Sequence, residues 1–275
     1  MKITTLLENH ANPDQPELLS EHGLSFYIEN QGHVVMSDVG QTGKFAENAA
    51  ILGIDLDLVE AVAISHHHYD HGGGLERFLK ENHHATIYLR QLDYTALVAE
   101  DGPGAIRTIG LDDALLNKNQ DRVTLINRSQ EILPGFQLIT EIPQRYPEPG
   151  GDQRLKIKSG NLVRPDPFDH EMVTVFESER GLVVMTGCAH NGVMNMIAAT
   201  RKALPGKPIL ALVGGFHLVH EEPETVPEVG KLLLAEDIPS IYTGHCTGDN
   251  AVEILEQVLG PRLHRLYCGL EIEMP

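Results

Sequence analysis

His66-His67-His68-Tyr69-Asp70-His71 runs directly into Gly72-Gly73-Gly74 and follows the apolar run Ala61-Val62-Ala63-Ile64. The pattern is H-x-H-x-D-H, with four potential metal ligands inside six residues. Residues two apart in a strand point the same way. If the chain stays extended as it leaves the apolar strand, His66 and His68 project to one side and His67 to the other. Asp70 and His71 then fall where the glycine run lets the backbone turn back. That spacing suits two adjacent metal ions, imidazoles for one and carboxylate plus imidazole for the other. A terminal tag or a His-rich surface tract would lack both the interposed aspartate and the preceding apolar strand.

Outward from this stretch, the N-terminal part reads as strands. Met1 to Glu8 looks like an opening strand, and 24–28 and 33–37 flank the turn Glu29-Asn30-Gln31-Gly32, a hairpin signal. Asp38-Val39-Gly40 ends the second of these. A helix is expected over 45–52, stopped by Gly53, with another over 75–80 and a strand over 85–89. The last third alternates regularly. Strands at 182–185, 209–213 and 240–242 end in Thr186-Gly187-Cys188-Ala189-His190, Gly214-Gly215-Phe216-His217 and Thr243-Gly244-His245-Cys246. Helices are expected over 193–204, 224–235 and 251–259, with a closing strand over 263–267. Ligands of α/β sheets bind beyond the C-terminal ends of strands, so His190, His217 and His245 should converge on the first cluster.

The chain reads as one domain over 1–275, interrupted at about 99–170 by a weakly patterned stretch. That stretch holds Asp101-Gly102-Pro103-Gly104 and is proline-rich from Pro143 to Pro167. Long segments of this kind serve as lids or binding loops; a solvated linker is the plainer alternative, and a homodimer arm is a further use.

Hydrophobic residues make up 41% of the 275, enough for a sizeable core. No apolar run approaches the roughly 18 residues that a membrane span needs. The three cysteines, Cys188, Cys246 and Cys268, are odd in number and widely spaced, which gives no disulfide framework and makes a reducing cytoplasm the expected compartment. A net charge of −18 disfavours nucleic acid. It leaves room for an anionic small substrate, because metal ions reverse the local field. No Gly-x-Ser-x-Gly or Gly-x-Gly-x-x-Gly element suggests a serine nucleophile or a dinucleotide.

Together these elements resemble the metallo-β-lactamase superfamily. The resemblance rests on Ser37-Asp38-Val39-Gly40, on H-x-H-x-D-H and on the three His-bearing strand ends. Within the superfamily, Gly187-Cys188-Ala189-His190-Asn191-Gly192, Gly214-Gly215-Phe216-His217-Leu218 and Thr243-Gly244-His245-Cys246-Thr247-Gly248 look closest to metal-dependent hydrolases related to the dihydropterin-ribofuranosylaminobenzene phosphate synthases. The resemblance implies a four-layer αββα sandwich with a dinuclear site at one edge. It assigns His66, His68 and His190 to one metal, and Asp70, His71 and His245 to the other. Many members carry a bridging aspartate where this chain has Cys188, so Cys188 is either a bridging thiolate or a structural thiol. Zinc is the default ion, with manganese or iron as alternatives.

Asp38 is expected to orient a ligand from behind, with a simple turn former as its alternative. His217 is read as a catalytic acid or substrate contact rather than a further ligand or a buried structural histidine, and Asp70 as orienting the nucleophile. His10, His22, His33, His83 and His84 are read as surface or structural, and Cys246 and Cys268 as core thiols. The expected activity is hydrolysis of a small-molecule ester, lactone or phosphoester by a metal-activated hydroxide. One alternative is a synthase that joins a phosphoribosyl-type substrate to a pterin-like or aromatic partner. Another is a non-catalytic metal-bound sensor.

Overall fold

The computed structural model of the chain describes residues 1–102 and 104–274. Pro103, part of the Asp101-Gly102-Pro103-Gly104 turn signal, lies outside them.

Two seven-stranded sheets form the frame. In the first, the strands lie in the order Glu271–Glu273, Lys2–Leu7, Ser25–Asn30, His33–Ser37, Ala61–Ala63, Thr86–Arg90 and Val123–Ile126. In the second, the order is Leu263–Arg265, Ser240–Thr243, Ile209–Gly214, Gly181–Met185, Val173–Ser178, Phe136–Ile139 and Gln130–Leu133. The hairpin closes through Gln31 and Gly32, both at positive φ, as a two-residue turn between right-twisted strands requires.

The layering follows from side-chain alternation. Val35 and Ala61 enter a central core with Val183, Met185, Ala211 and Val213 of the second sheet. Their neighbours Met36 and Val62 turn outward onto helices Lys44–Ile51 and Leu75–Glu81. On the other sheet, Leu182, Val184 and Leu212 turn outward onto helices Val193–Ala203, Val226–Ala235 and Asp249–Leu259. A strand buried on both faces packs a sheet on one side and helices on the other, and two such strand sets make the αββα sandwich.

Two expectations need correction. The strand expected to close the chain over 263–267 stops at Arg265, and the chain ends instead in Glu271–Glu273, which returns to pair with Lys2, Ile3 and Thr4. Those three residues bury Ile272 alone, too short a pattern for periodicity to register. The middle stretch is not structureless. It supplies the edge strands Val123–Ile126 and Gln130–Leu133, and Phe136–Ile139 next to the latter, to the two main sheets. It also builds most of a four-stranded sheet, ordered Leu162–Pro165, Leu155–Ser159, Ala96–Glu100, Ile106–Thr108. Several of these strands are largely exposed, so their polar faces mask the alternation. No helix of the described residues is long and apolar enough to cross a membrane.

Candidate metal centre

The motif is placed by parallel register. Ser37 pairs with Ala63, which sets Asp38 beside Ser65 at the ends of adjacent strands. Asp38, at φ 60°, accepts from Ser65 N at 2.7 Å, from Ser65 Oγ at 2.8 Å and from His71 Nδ1 at 2.7 Å. The chain bends through Ser65, His66 and His67, is extended again at His68 and then turns in the short helix Tyr69–Gly72. Ala189, His217 and His245 also adopt positive φ, at 58°, 51° and 49°. Non-glycine residues in this region are uncommon and gather at functional turns. Here they sit just beyond strand ends of the two facing sheets; His217 and His245 line one cavity, Asp38 stands behind His71, and Ala189 packs into the apolar core.

His66, His68 and His190 bring ring nitrogens within 4.8 Å of one another, and Asp70, His71, Cys188 and His245 form an adjoining group by the same measure. His71 Nε2 lies 3.2 Å from His245 Nε2 and 3.2 Å from Cys188 Sγ, and His245 Nε2 lies 3.4 Å from Asp70 Oδ2.

The outer nitrogens explain the inner ones. Ser65 Oγ spends its proton on Asp38 and so accepts from His66 Nδ1 at 2.9 Å. His71 Nδ1 donates to Asp38, His190 Nδ1 to Asp152 at 3.1 Å, and His245 Nδ1 to Asn9 Oδ1 at 2.9 Å. Each imidazole that gives its Nδ1 proton outward turns Nε2 inward. Burial lowers the pKa of His71 but Asp38 and Asp70 raise it to about 9, so this ring would give up its Nε2 proton on binding a metal ion. Among the described residues, the buried Nε2 atoms of His66, His68 and His190 have no hydrogen-bond partner. Burial, with the neighbouring imidazoles, lowers the pKa of His66 and His68 well below the ordinary value, so both are neutral, the ligating form. Buried acceptors converging with no donor between them would be costly without a cation. The donor set fits divalent metal ions: His66, His68 and His190 would hold one, and Asp70, His71 and His245 with Cys188 in reach would hold the other.

Burial opposes ionisation of Asp70, but the charge of His71 and hydrogen bonds from His22 and His245 hold its pKa well below the usual carboxylate range. Burial and the adjacent Cys246 raise that of the Cys188 thiol. His67 turns the other way, with its Nε2 at 2.7 Å from the carbonyl of Arg90.

His22, read from sequence as surface or structural, places Nε2 3.2 Å from Asp70 Oδ2 and belongs to the site. Cys246, read as a core thiol, is buried yet lines the cavity beside Cys188. Cys268 is a core thiol, with Sγ against the carbonyls of Glu8 and Leu19. His83 and His84 are exposed. Sequence reading missed Asp152, whose carboxylate joins His190 to His217, since nothing in its Gly-rich turn marks it. It missed Glu171, which accepts from the backbone N of His190 and of Asn191, both at 2.8 Å. It also missed Glu8, fully buried at the end of the first strand and bonded to His245 N. A buried acid directly after an apolar strand was the available signal.

His10 spans Glu8 and Asp249, with ring nitrogens at 2.8 and 2.9 Å from them. The hydrogen bond to Glu8, against the cost of burial, raises its pKa to about 9. Raised on folding, this group stabilises fully below the unfolded value of 6.5, and its contribution fades as pH climbs through about 9. A His10→Gln variant should therefore melt below the wild type at pH ~6 and converge with it near pH ~10. An equal deficit at both pH values would contradict the ion-pair account.

Residues 21–192, well over half of the chain, match the model of the metallo-beta-lactamase superfamily. The chain belongs to that superfamily. It is 28% identical to the 7,8-dihydropterin-6-methyl-4-(beta-D-ribofuranosyl)-aminobenzene-5'-phosphate synthase of Methanocaldococcus jannaschii, over 98% of this chain and 95% of the relative. Among solved structures it is similar to Tm1679, a metal-dependent hydrolase of the beta-lactamase superfamily, with 29% identity, a TM-score of 0.84 and coverage of 100% and 99%. A diphosphatase of the PhnP family shares the superfamily fold at 13% identity, with a TM-score of 0.55 and coverage of 100% and 98%.

Proposed function

We propose that this superfamily member is a metal-dependent hydrolase of a small-molecule ester, lactone or phosphoester. The observation that carries the reading is the inward convergence of the unpartnered Nε2 atoms of His66, His68 and His190 beside Asp70, His71 and His245. Divalent ions held there, zinc by the nature of the donors, would acidify a water and polarise the oxygen of the scissile group. Asp70, kept ionised, would orient the attacking water and accept its proton. Burial opposes a charge on His217, but Asp152 and Cys246 raise its pKa to about 10, so a proton is held at a buried ring that faces the cavity. That proton would go to the oxygen on which charge develops.

A synthase reading has support of its own, because the M. jannaschii synthase matches over nearly the full length of both chains. Metal-replete protein should be assayed on chromogenic phosphodiesters and lactones, and on phosphoribosyl diphosphate with an aromatic acceptor. The hydrolase reading expects metal-restored release of chromophore. Consumption of the diphosphate that requires the acceptor, with every ester untouched, would replace it with the synthase. No turnover of any substrate by protein with a full metal complement would contradict both.

A further inference from the structure

The cavity in front of the imidazoles encloses about 300 Å³. Its lining is charged unlike the rest of the chain. The sequence carries 39 acidic and 21 basic residues. Yet among the described residues Asp70 is the one carboxylate on the lining, facing two guanidiniums, Arg107 and Arg154. Asp70 is turned to His22, His71 and His245 and does not answer the arginines. Behind the lining, both arginines share one carboxylate: Asp101 lies 2.9 Å from Arg107 Nε and 4.0 Å from Arg154 Nη1. Asp101 is thus the one carboxylate among the described residues that ion-pairs with the two guanidiniums, which leaves them only partly neutralised at the mouth. The side chains are 48% and 46% exposed, so further N–H groups remain open to a ligand.

The placement of both arginines is built into the four-stranded sheet and the turn before it. Ala99 pairs with Arg107 on one side and Leu155 on the other. Cross-strand partners share a face, so the small Ala99 leaves a gap between a guanidinium stem and an apolar wall. Arg154 closes the 3-10 turn Gly150–Arg154. That turn rests on His220 so closely that a Cβ on Gly151 would lie 2.5 Å from His220 Cβ. The same turn carries Asp152 to His190 and His217, so whatever fixes one end of it fixes the other.

We propose that Arg107 and Arg154 determine specificity by binding an anionic end group of the substrate, a phosphate or a carboxylate set apart from the bond that reacts. The inference rests on the cavity being the reaction site named above. Guanidinium forks match the paired oxygens of such groups. Ile109, Leu155 and Val219 offer apolar contact to the body of the molecule.

The test is calorimetric binding of phenylphosphonate, benzoate and neutral benzamide to metal-replete protein. The Arg107→Gln/Arg154→Gln variant should bind the anions at least about ten-fold more weakly and benzamide within about two-fold, with Arg→Lys variants intermediate. Loss confined to phenylphosphonate would identify a phosphate end, and loss confined to benzoate a carboxylate end. Arg265→Gln, remote and paired with Glu256, is the control for bulk charge. Unchanged anion affinity in the double variant, or equal weakening by Arg265→Gln, would overturn the inference and make the Asp101 cluster a latch of the small sheet. Metal-dependent hydrolysis is scored separately. If hydrolysis holds while anion binding ignores the arginines, this inference alone falls. If anion binding depends on the arginines in a chain without metal-dependent turnover, the hydrolase reading falls instead.

Discussion

A His68→Ala variant is expected to fold and to lose metal-dependent hydrolysis by about 10³-fold or more, roughly 4 kcal/mol of transition-state stabilisation. The two halves of that expectation have different causes. His68 Nε2 is buried with no partner among the described residues, and burial holds the ring neutral. Removing it discards a desolvated nitrogen that bonds to nothing in the protein, so the cost to folding is that of a small cavity, about 1–2 kcal/mol. Its backbone contacts, the carbonyl bond from Gly72 N and the bridge to Gly110, are untouched by the change. The catalytic loss would be that of one of the three donors proposed for a single ion. Initial rates at saturating metal and a melting curve measure the two together. A variant that melts like the wild type and turns over at the wild-type rate would contradict the metal mechanism.

Asp38→Ala is expected to damage both stability and activity. Asp38 is 1% exposed and accepts from a backbone N–H, a hydroxyl and an imidazole N–H. Alanine would leave those three donors buried and unpaired, at φ 60°, where a side chain without its own hydrogen bonds is disfavoured. The expected loss is about 3–5 kcal/mol in unfolding free energy. Molecules that stay folded should lose about 10–100-fold in rate, because His71 would no longer be held in one tautomer and orientation. Asp38→Asn separates the effects. Its amide oxygen can still accept from Ser65 N, but its NH₂ cannot accept from His71, so stability should recover further than rate. Denaturant unfolding beside kcat reads this, and an alanine variant of wild-type stability would contradict the role given to Asp38.

The sequence made legible whatever rests on periodicity and on clustered ligands. The strand before His66, the helix stopped by Gly53 and the three strand–turn–His units near the C-terminus all lie where alternation and glycine place them. His190, His217 and His245 do reach the first cluster, because parallel register brings their strand ends side by side. Less legible was anything set by contacts distant in sequence. Asp152 reaches His190 from 38 residues away and Glu8 reaches His245 from 237, and neither has a local pattern to announce it. Arg107 and Arg154 were hidden for another reason. Arg107 stands in the outer strand Ile106–Thr108 of the small sheet, which is wholly exposed, so the periodicity that marks a buried strand is absent, and Arg154 closes the short turn before that sheet, where no periodicity applies. His22 shows the limit of motif reasoning, since its place beside Asp70 depends on the loop after the first strand folding back over the site.

The most direct test of the central claim is a calorimetric titration of metal-free protein with zinc, run beside the His68→Ala variant. The imidazole and carboxylate arrangement predicts two equivalents bound per chain, with a rise in melting temperature as they bind, and the loss of one equivalent in the variant. Absence of saturable zinc binding by the wild type, or an identical stoichiometry in the His68→Ala variant, would contradict it.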